Sequence, residues 1–195
     1  MNEIIPIMKL LDFHDQLVKT SIDSIEANNP INSIWKFIEI NHRSNQMLWH
    51  QEDLARRNDV EPIEIMLNKR TIDKYNQQRN DAIEGIDHEF LLKVKNVELS
   101  QNAQLNSETV GSIIDRLSIL SLKLDATLKQ TQRNDVTAQH IETCNSRFLV
   151  LTTQRGDLAS CLDNLICNFL LGLNYYKIYK QFKMYNDPKF NVHIK

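Results

Sequence analysis

Apolar residues recur along most of this chain at the three- and four-residue spacing that is typical of amphipathic α-helices. Breakers and loop residues divide the pattern into segments: Asn28-Asn29-Pro30 ends the first, Pro62 opens the third, and the polar stretch 100–106 precedes the fourth. We therefore predict five helices, at about residues 9–27, 31–57, 63–95, 108–130 and 135–185. The fifth would be roughly 70 Å long, so we expect it to bend or break near Gly156 or Gly172, or to project.

The composition agrees with helices and excludes most β architectures. The 195 residues include 4 Gly and 4 Pro, too few for a sandwich or barrel that needs a turn every ~8–12 residues. We predict one all-α domain over residues 1–195, an up-and-down helical bundle with its core at 9–174 and a basic, tyrosine-rich end at 175–195. The net charge of -2 gives no reason to expect nucleic acid as a partner.

Targeting signals and cysteine usage bear on the compartment. The N-terminal residues lack the basic start of a secretory signal, and no uncharged run of about 18 apolar residues occurs, so we expect no transmembrane segment. Cys144, Cys161 and Cys167 are odd in number and contain no Cys-x-x-Cys pair, which favours reduced thiols. We predict a cytoplasmic protein. A Cys144–His140 thiolate pair would have the right helical spacing, but we favour a packing role.

Polar residues interrupt the apolar stripes of the second and third predicted helices. On the second helix, the residues that share a face with Ile34, Ile38 and Trp49 are Asn41, Asn45, Glu52 and Arg56. On the third helix, Arg79 lies on the stripe, and the shoulder beside it contains Asn76, Asn80, Glu84 and Asp87. Antiparallel packing would bring the two sets together. Because a buried carboxylate needs a partner, we expect Glu52 and Glu84 to pair with arginines such as Arg79 and Arg56.

Two interpretations of these polar residues stay open. They form either a structural network of ion pairs and amides, or a ligand pocket of the kind that bundles build between facing helices. The candidate ligand-binding residues are Asn45, Trp49, Glu52, Arg56, Asn76, Arg79, Asn80, Glu84, Ser107, Thr109 and Arg116.

An acidic subset is a candidate metal site. Its oxygen ligands would favour Mg²⁺ or Mn²⁺, which pair naturally with phosphate substrates, and they are Glu52, Asp53, Asp81, Glu84 and Asp87. The acidic pairs Glu61/Glu64 and Glu84/Asp87 are also similar to the motifs of all-α nucleotide pyrophosphohydrolases. This alternative predicts a Mg- or Mn-dependent hydrolase of nucleotide or sugar-nucleotide phosphoanhydrides.

The start of the fourth predicted helix is a second candidate anion site. Free amide groups at a helix N-terminus favour an anion, the hydroxyls of Ser107 and Thr109 are nearby, and Arg116 follows. The alternative is that Asn106 or Ser107 caps the helix and that Gly111 packs against another helix.

Three stretches of the chain resemble a bacterial family of unknown function, DUF4254. They read NQMLWHQEDLAR (45–56), IDKYNQQRNDAIEGID (72–87) and SETVGSIIDRLSIL (107–120), and the resemblance spans about residues 35–172. It implies an all-helical fold and a loose association with genes for cell-surface glycans, and it implies no activity. Val110 departs from the family pattern, which often has proline there. These stretches contain the polar residues that periodicity places inside, which supports a functional role as much as a structural one.

The sequence therefore predicts a binding or adaptor module. Its ligand would be anionic, phosphate- or sugar-nucleotide-like, or a partner protein, and Arg56, Arg79 and Arg116 would supply the positive charges. The metal-dependent hydrolase is the alternative, and a purely structural subunit is a third hypothesis. The long final helix would suit a homodimer.

Overall fold

The computed structural model describes residues 4–20, 33–180 and 189–191. These ranges contain five α-helices and one pair of two-residue strands: α1 (Ile7–Val18), α2 (Ile34–Ala55), α3 (Pro62–Val94), β1 (Gln104–Leu105), α4 (Val110–Thr131), α5 (Ala138–Leu170) and β2 (Asn174–Tyr175). The predicted all-α bundle with a long C-terminal helix is confirmed. The predicted breaker at 28–30, the extension of the first helix to Ala27 and most of the tail beyond 180 lie outside the described residues.

Side-chain caps and one proline set the helix starts. The hydroxyl of Ser33 accepts a hydrogen bond from the Lys36 amide at the start of α2, and Pro62 begins α3, where its missing N–H costs nothing. At α4, Thr109 is the cap and forms a reciprocal capping box with Ser112. The expectation that Asn106 or Ser107 caps this helix was therefore wrong by two or three residues.

Helix α4 lies at the centre of the packing. Helices α2 and α3 pack along each other, α4 and α5 do the same, and α4 also contacts α1, α2 and α3. One cluster of buried apolar residues draws on all five helices, with Ile38, Phe90, Ile114 and Ile166 among its fully buried members. The contacts between α2 and both α3 and α4 place the polar side chains of α2 between the other two helices.

Gly111 permits the close crossing of α3 and α4. A Cβ atom at this position would lie 2.5 Å from the carbonyl oxygen of Ile83, so no larger residue fits without moving the helices apart. The alternative role that the sequence left open for Gly111, packing against another helix, is the one observed.

The last helix ends earlier than the periodicity indicates. Leu171 follows the last residue of α5, and Gly172 adopts φ 68°, a left-handed conformation that favours glycine and stops a helix. The break therefore lies at Gly172, and α5 continues through Gly156. The predicted helix to residue 185 was wrong, because β2 follows at once and pairs in parallel with β1, inside the predicted loop 100–106.

Candidate functional site

A cleft of about 500 Å³ lies between α2, α3 and α4. Six of the predicted ligand-binding residues line it, and these are Asn45, Trp49, Glu52, Arg56, Asn76 and Arg79. Asp53 and the apolar side chains of Leu48, Ile72, Ile119 and Leu122 complete the wall. The helical spacing that put polar residues of α2 and α3 on facing stripes thus identified residues that share one cleft.

The inner wall of the cleft is a buried hydrogen-bond network between α2 and α4. The side-chain amide of Asn45 donates to Asp115 Oδ1 (2.9 Å) and to Ser118 Oγ (3.0 Å), and that of Asn41 donates to the same Asp115 oxygen (2.8 Å). These bonds use the Nδ2 donor of Asn45 and fix its orientation. Both groups of α4 were missed in the sequence, although Asp115 and Ser118 are three residues apart among apolar positions.

The outer rim carries an ion pair within one helix. Arg56 Nη2 lies 3.1 Å from Glu52 Oε2, and both side chains are largely exposed. The expected pairs between helices were wrong: among the described residues, neither Glu52 nor Glu84 makes an ion pair with Arg79, and Arg56 pairs within its own helix. Arg56 follows the last residue of α2, where the side chain reaches solvent.

Arg79 is a cation in the cleft wall that has no ion-pair partner among the described residues. Its residue is half-buried, and its Nε is fully buried without a hydrogen-bond partner in the described parts of the chain. Within the same ranges no carboxylate forms an ion pair with it. A buried polar group without a partner costs free energy, so Arg79 is the group in this wall that a bound anion would stabilise most.

The N-terminus of α4 already has an anion from the chain itself. The Asp87 carboxylate accepts a hydrogen bond from the Gly111 amide (2.7 Å), and burial raises the pKa of Asp87 to about 6 although Thr109 and Gly111 donate to it. Ser107 is exposed, and Arg116 is exposed and pairs with Glu108. The structure therefore does not bring Ser107, Thr109 and Arg116 into the cleft, and the expected external anion at this helix end is replaced by Asp87.

The predicted metal ligands are dispersed. Glu52 pairs with Arg56, Asp81 lines a different cleft beside Arg43, and Asp87 is committed to α4. In residues 4–20, 33–180 and 189–191, no three His, Cys, Asp or Glu side chains are placed to hold a metal ion. The set of Glu52, Asp53, Asp81, Glu84 and Asp87 was thus not assembled, which corrects that expectation.

The likeness to pyrophosphohydrolase motifs is also corrected. Both acidic pairs lie on α3, with Glu61 as its cap residue and Glu84 about 35 Å further along the helix axis. Side chains so far apart do not share a metal. Neither Asn80, which is buried, nor Glu84, which is half-buried, lines the cleft.

A second polar region, a pair of histidines from α1 and α2, lies in the core. The rings of His14 and His42 stack with centroids 5.0 Å apart, and His42 Nδ1 lies 2.9 Å from Ser118 Oγ. Both nitrogens of His14 and Nε2 of His42 are buried without a hydrogen-bond partner among the described residues. Burial lowers the pKa of His14 well below its usual value and that of His42 to about 3, and Arg155 adds to both shifts. Both rings are therefore neutral near pH 7.

A larger, more open cleft of about 1290 Å³ adjoins the first one and shares Trp49, Asp53 and Leu122 with it. His140 and Cys144 lie in its wall, with Nε2 and Sγ 3.5 Å apart. The same Nε2 is 3.3 Å from Gln130 Oε1, so a proton that it donates to Gln130 leaves it unable to accept one from the thiol. This geometry does not favour a nucleophilic pair, in agreement with a packing role.

The fold and the site together define an all-α bundle with a polar cleft between helices. The family model for proteins of unknown function (DUF4254) matches residues 35–178. The chain belongs to this family, and the resemblance seen in the sequence is confirmed. No curated protein and no solved structure matches the chain. In the part of the chain that the structure describes, no helix is long and apolar enough to cross a membrane.

Proposed function

We propose that this protein is a binding module for a phosphorylated small molecule, held in the cleft between α2, α3 and α4. The observation that carries the proposal is Arg79, a half-buried guanidinium without a carboxylate partner in the described residues, in the wall of a 500 Å³ cleft. Clefts of this size hold small ligands, and a guanidinium binds phosphate through two parallel hydrogen bonds.

The other side chains of the cleft suit the rest of such a ligand. The Trp49 ring is 39% exposed and offers a flat surface for a planar group such as a nucleobase. Glu52 and Asp53 offer carboxylate oxygens that accept hydrogen bonds from sugar hydroxyls, and Asn76 offers an amide. A nucleotide or sugar-nucleotide-like compound therefore matches the lining better than inorganic phosphate alone.

The test is thermal unfolding and calorimetric titration with pyrophosphate, uridine diphosphate and a uridine diphosphate sugar, with sodium chloride as the ionic-strength control. A ligand that binds only the folded protein raises Tm. The Arg79→Met variant should weaken binding by roughly 10- to 100-fold, because it loses a charge-assisted contact. The matched control is Arg70→Met, which removes an exposed arginine of the same helix that does not line the cleft.

Stability separates the binding role from a structural role. Because Arg79 has no ion-pair partner in the described chain, Arg79→Met should be neutral or stabilising in urea unfolding. If none of the three compounds raises Tm, or if Arg70→Met weakens binding as much as Arg79→Met, the proposal fails. A loss of more than about 2 kcal/mol in Arg79→Met would instead assign Arg79 to the structural network.

We further propose that the protein acts in the cytoplasm. Its three cysteines are free, and Cys161 is exposed, a state that a reducing compartment preserves. Thiol labelling of intact and lysed cells tests this: Cys161 should react only after lysis if the proposal holds, and before lysis if it fails.

A further inference from the structure

Five leucines lie exposed at the end of the bundle where α3 and α5 terminate. They are 40–68% exposed, and we call them the leucine surface: Leu99, Leu105, Leu170, Leu171 and Leu173. Single exposed leucines are normal, but a contiguous group of large apolar side chains usually marks an interaction site.

Backbone hydrogen bonds hold the two halves of the leucine surface together. The Ser100 amide donates to the Gly172 carbonyl (2.9 Å), and the Gln104 amide donates to the Leu173 carbonyl (2.8 Å). A Cβ at Gly172 would lie 2.2 Å from the Glu98 carbonyl oxygen, which shows how closely the two loops approach. The backbone segments that carry the leucines are therefore held together, and each of the five leucines is exposed to solvent.

The chain segments that carry the leucine surface are rich in lysine. Residues 91–106 and 164–180, which carry the leucine surface, contain four lysines and one glutamate, and the next acid after residue 106, Glu108, is paired with Arg116, whereas the whole chain carries a net charge of -2. The four lysines, Lys93, Lys95, Lys177 and Lys180, are all exposed. A second copy of the chain on the same surface would bring these like charges together, so the charge favours an anionic partner over self-association.

We propose that the leucine surface docks on a membrane that contains anionic lipid headgroups. The exposed leucines enter the boundary between headgroups and acyl chains, while the lysines contact the headgroup phosphates. A short apolar tip with few cations gives reversible binding at the surface. The surface lies about 24 Å along the α3 axis from Arg79, so this proposal is independent of the cleft.

The test is co-sedimentation of the full chain with two kinds of vesicle, at low and at high salt. One kind contains phosphatidylcholine alone, and the other contains phosphatidylcholine with about 30% of the anionic lipid phosphatidylglycerol. We expect at least about tenfold stronger partitioning to the anionic vesicles at low salt, lost at high salt. The variant Leu171→Gln/Leu173→Gln should lower partitioning about tenfold. The matched control, Leu149→Gln/Val150→Gln, changes two apolar residues of α5 that are at least as exposed as Leu173 and should bind like the wild type.

Each other outcome overturns the proposal. No partitioning to anionic vesicles, or equal partitioning of the two double variants, removes the membrane as the partner. A dimer in analytical ultracentrifugation that Leu171→Gln/Leu173→Gln dissociates would assign the leucine surface to self-association. Because the changed side chains are exposed, thermal unfolding of the variants should match the wild type, and Lys93→Gln/Lys95→Gln provides a second test that alters only charge.

Discussion

The cleft and the histidine pair are two polar regions that meet at one residue and differ in what surrounds them. Ser118 Oγ contacts both Asn45, at the cleft wall, and His42, in the core. At the cleft, open volume adjoins an unpaired guanidinium. At the histidine pair, the rings are buried and neutral, and neither His14 nor His42 lines the cleft at Arg79, the larger cleft beside it or the cleft at Asp81. The difference teaches that polarity inside a bundle indicates a binding site only where space and an unsatisfied charge coincide.

The pH dependence of stability tests whether the histidine pair is buried and neutral. The folded pKa values of His14 and His42 lie below the unfolded value of 6.5, so their contribution is complete above pH 6.5 and is lost as the pH falls. Together the two groups should lower the free energy of unfolding by up to about 3 kcal/mol between pH 6.5 and pH 5. Arg43 and Arg155 oppose protonation of the rings, and each of them pairs with a carboxylate, Arg43 with Glu39 and Arg155 with Asp15.

Urea unfolding at pH 8, 6.5 and 5 measures this effect. In His42→Leu, the slope of the free energy of unfolding against pH should fall to about half of the wild-type slope, because one of two groups is removed. An unchanged slope would show that other groups titrate in this range. The exposed His50 gives the control, since His50→Leu should leave the slope unchanged.

Removing the Asp115 side chain removes two hydrogen bonds between α2 and α4 at the point where the two regions meet. Asp115→Ala leaves the buried amides of Asn41 and Asn45 without their shared acceptor, and should lower the free energy of unfolding by about 2–4 kcal/mol. The comparison variant is Asp125→Ala on the same helix, which loses a partly exposed pair with Lys129 and should cost no more than about 0.5 kcal/mol. Similar losses in both would mean that the network adds little.

Asp87 is a third buried polar group, and it is bonded to the start of α4. Its contribution to the free energy of unfolding depends on pH with the opposite sign to that of the histidines. Its folded pKa of about 6 exceeds the unfolded value of 3.8, so its contribution is complete below pH 3.8 and is lost as the pH rises through 6. Asp87→Asn keeps an acceptor for the Gly111 amide and should be more stable than the wild type at pH 8 by about 1–2 kcal/mol. A variant that is less stable at pH 8 would show that the helix terminus needs the negative charge.

The sequence predicts features that depend on residues close together in the chain better than features that depend on contacts between helices. Asn45, Trp49, Asn76 and Arg79 were identified because helical spacing is a local property of the chain. The pairing of Glu52 with Arg56 was misjudged because a position beyond the last turn of α2 no longer follows the buried stripe. The stack of His14 on His42 joins residues of two helices, and no local spacing indicates it.

The end of α5 shows a different limit. Apolar residues continue past Gly172, so periodicity alone extends the helix, and only the pairing with residues 104–105 explains why the chain turns into a strand. The metal hypothesis failed for a related reason: acidic residues three apart on one helix occur on solvated faces as well as in sites, and their partners on other helices decide which is the case.

The parallel pairing of β1 with β2 also orders events during synthesis. Gln104 cannot find Asn174 until both helices between them have been made and packed, since the two strands are brought together only by the α4–α5 hairpin. A ribosome-bound chain that ends before residue 170 therefore lacks the later neighbours of Leu99 and Leu105, and truncation at this point should leave the amides of Ser100, Gln104 and Asn106 open to hydrogen exchange.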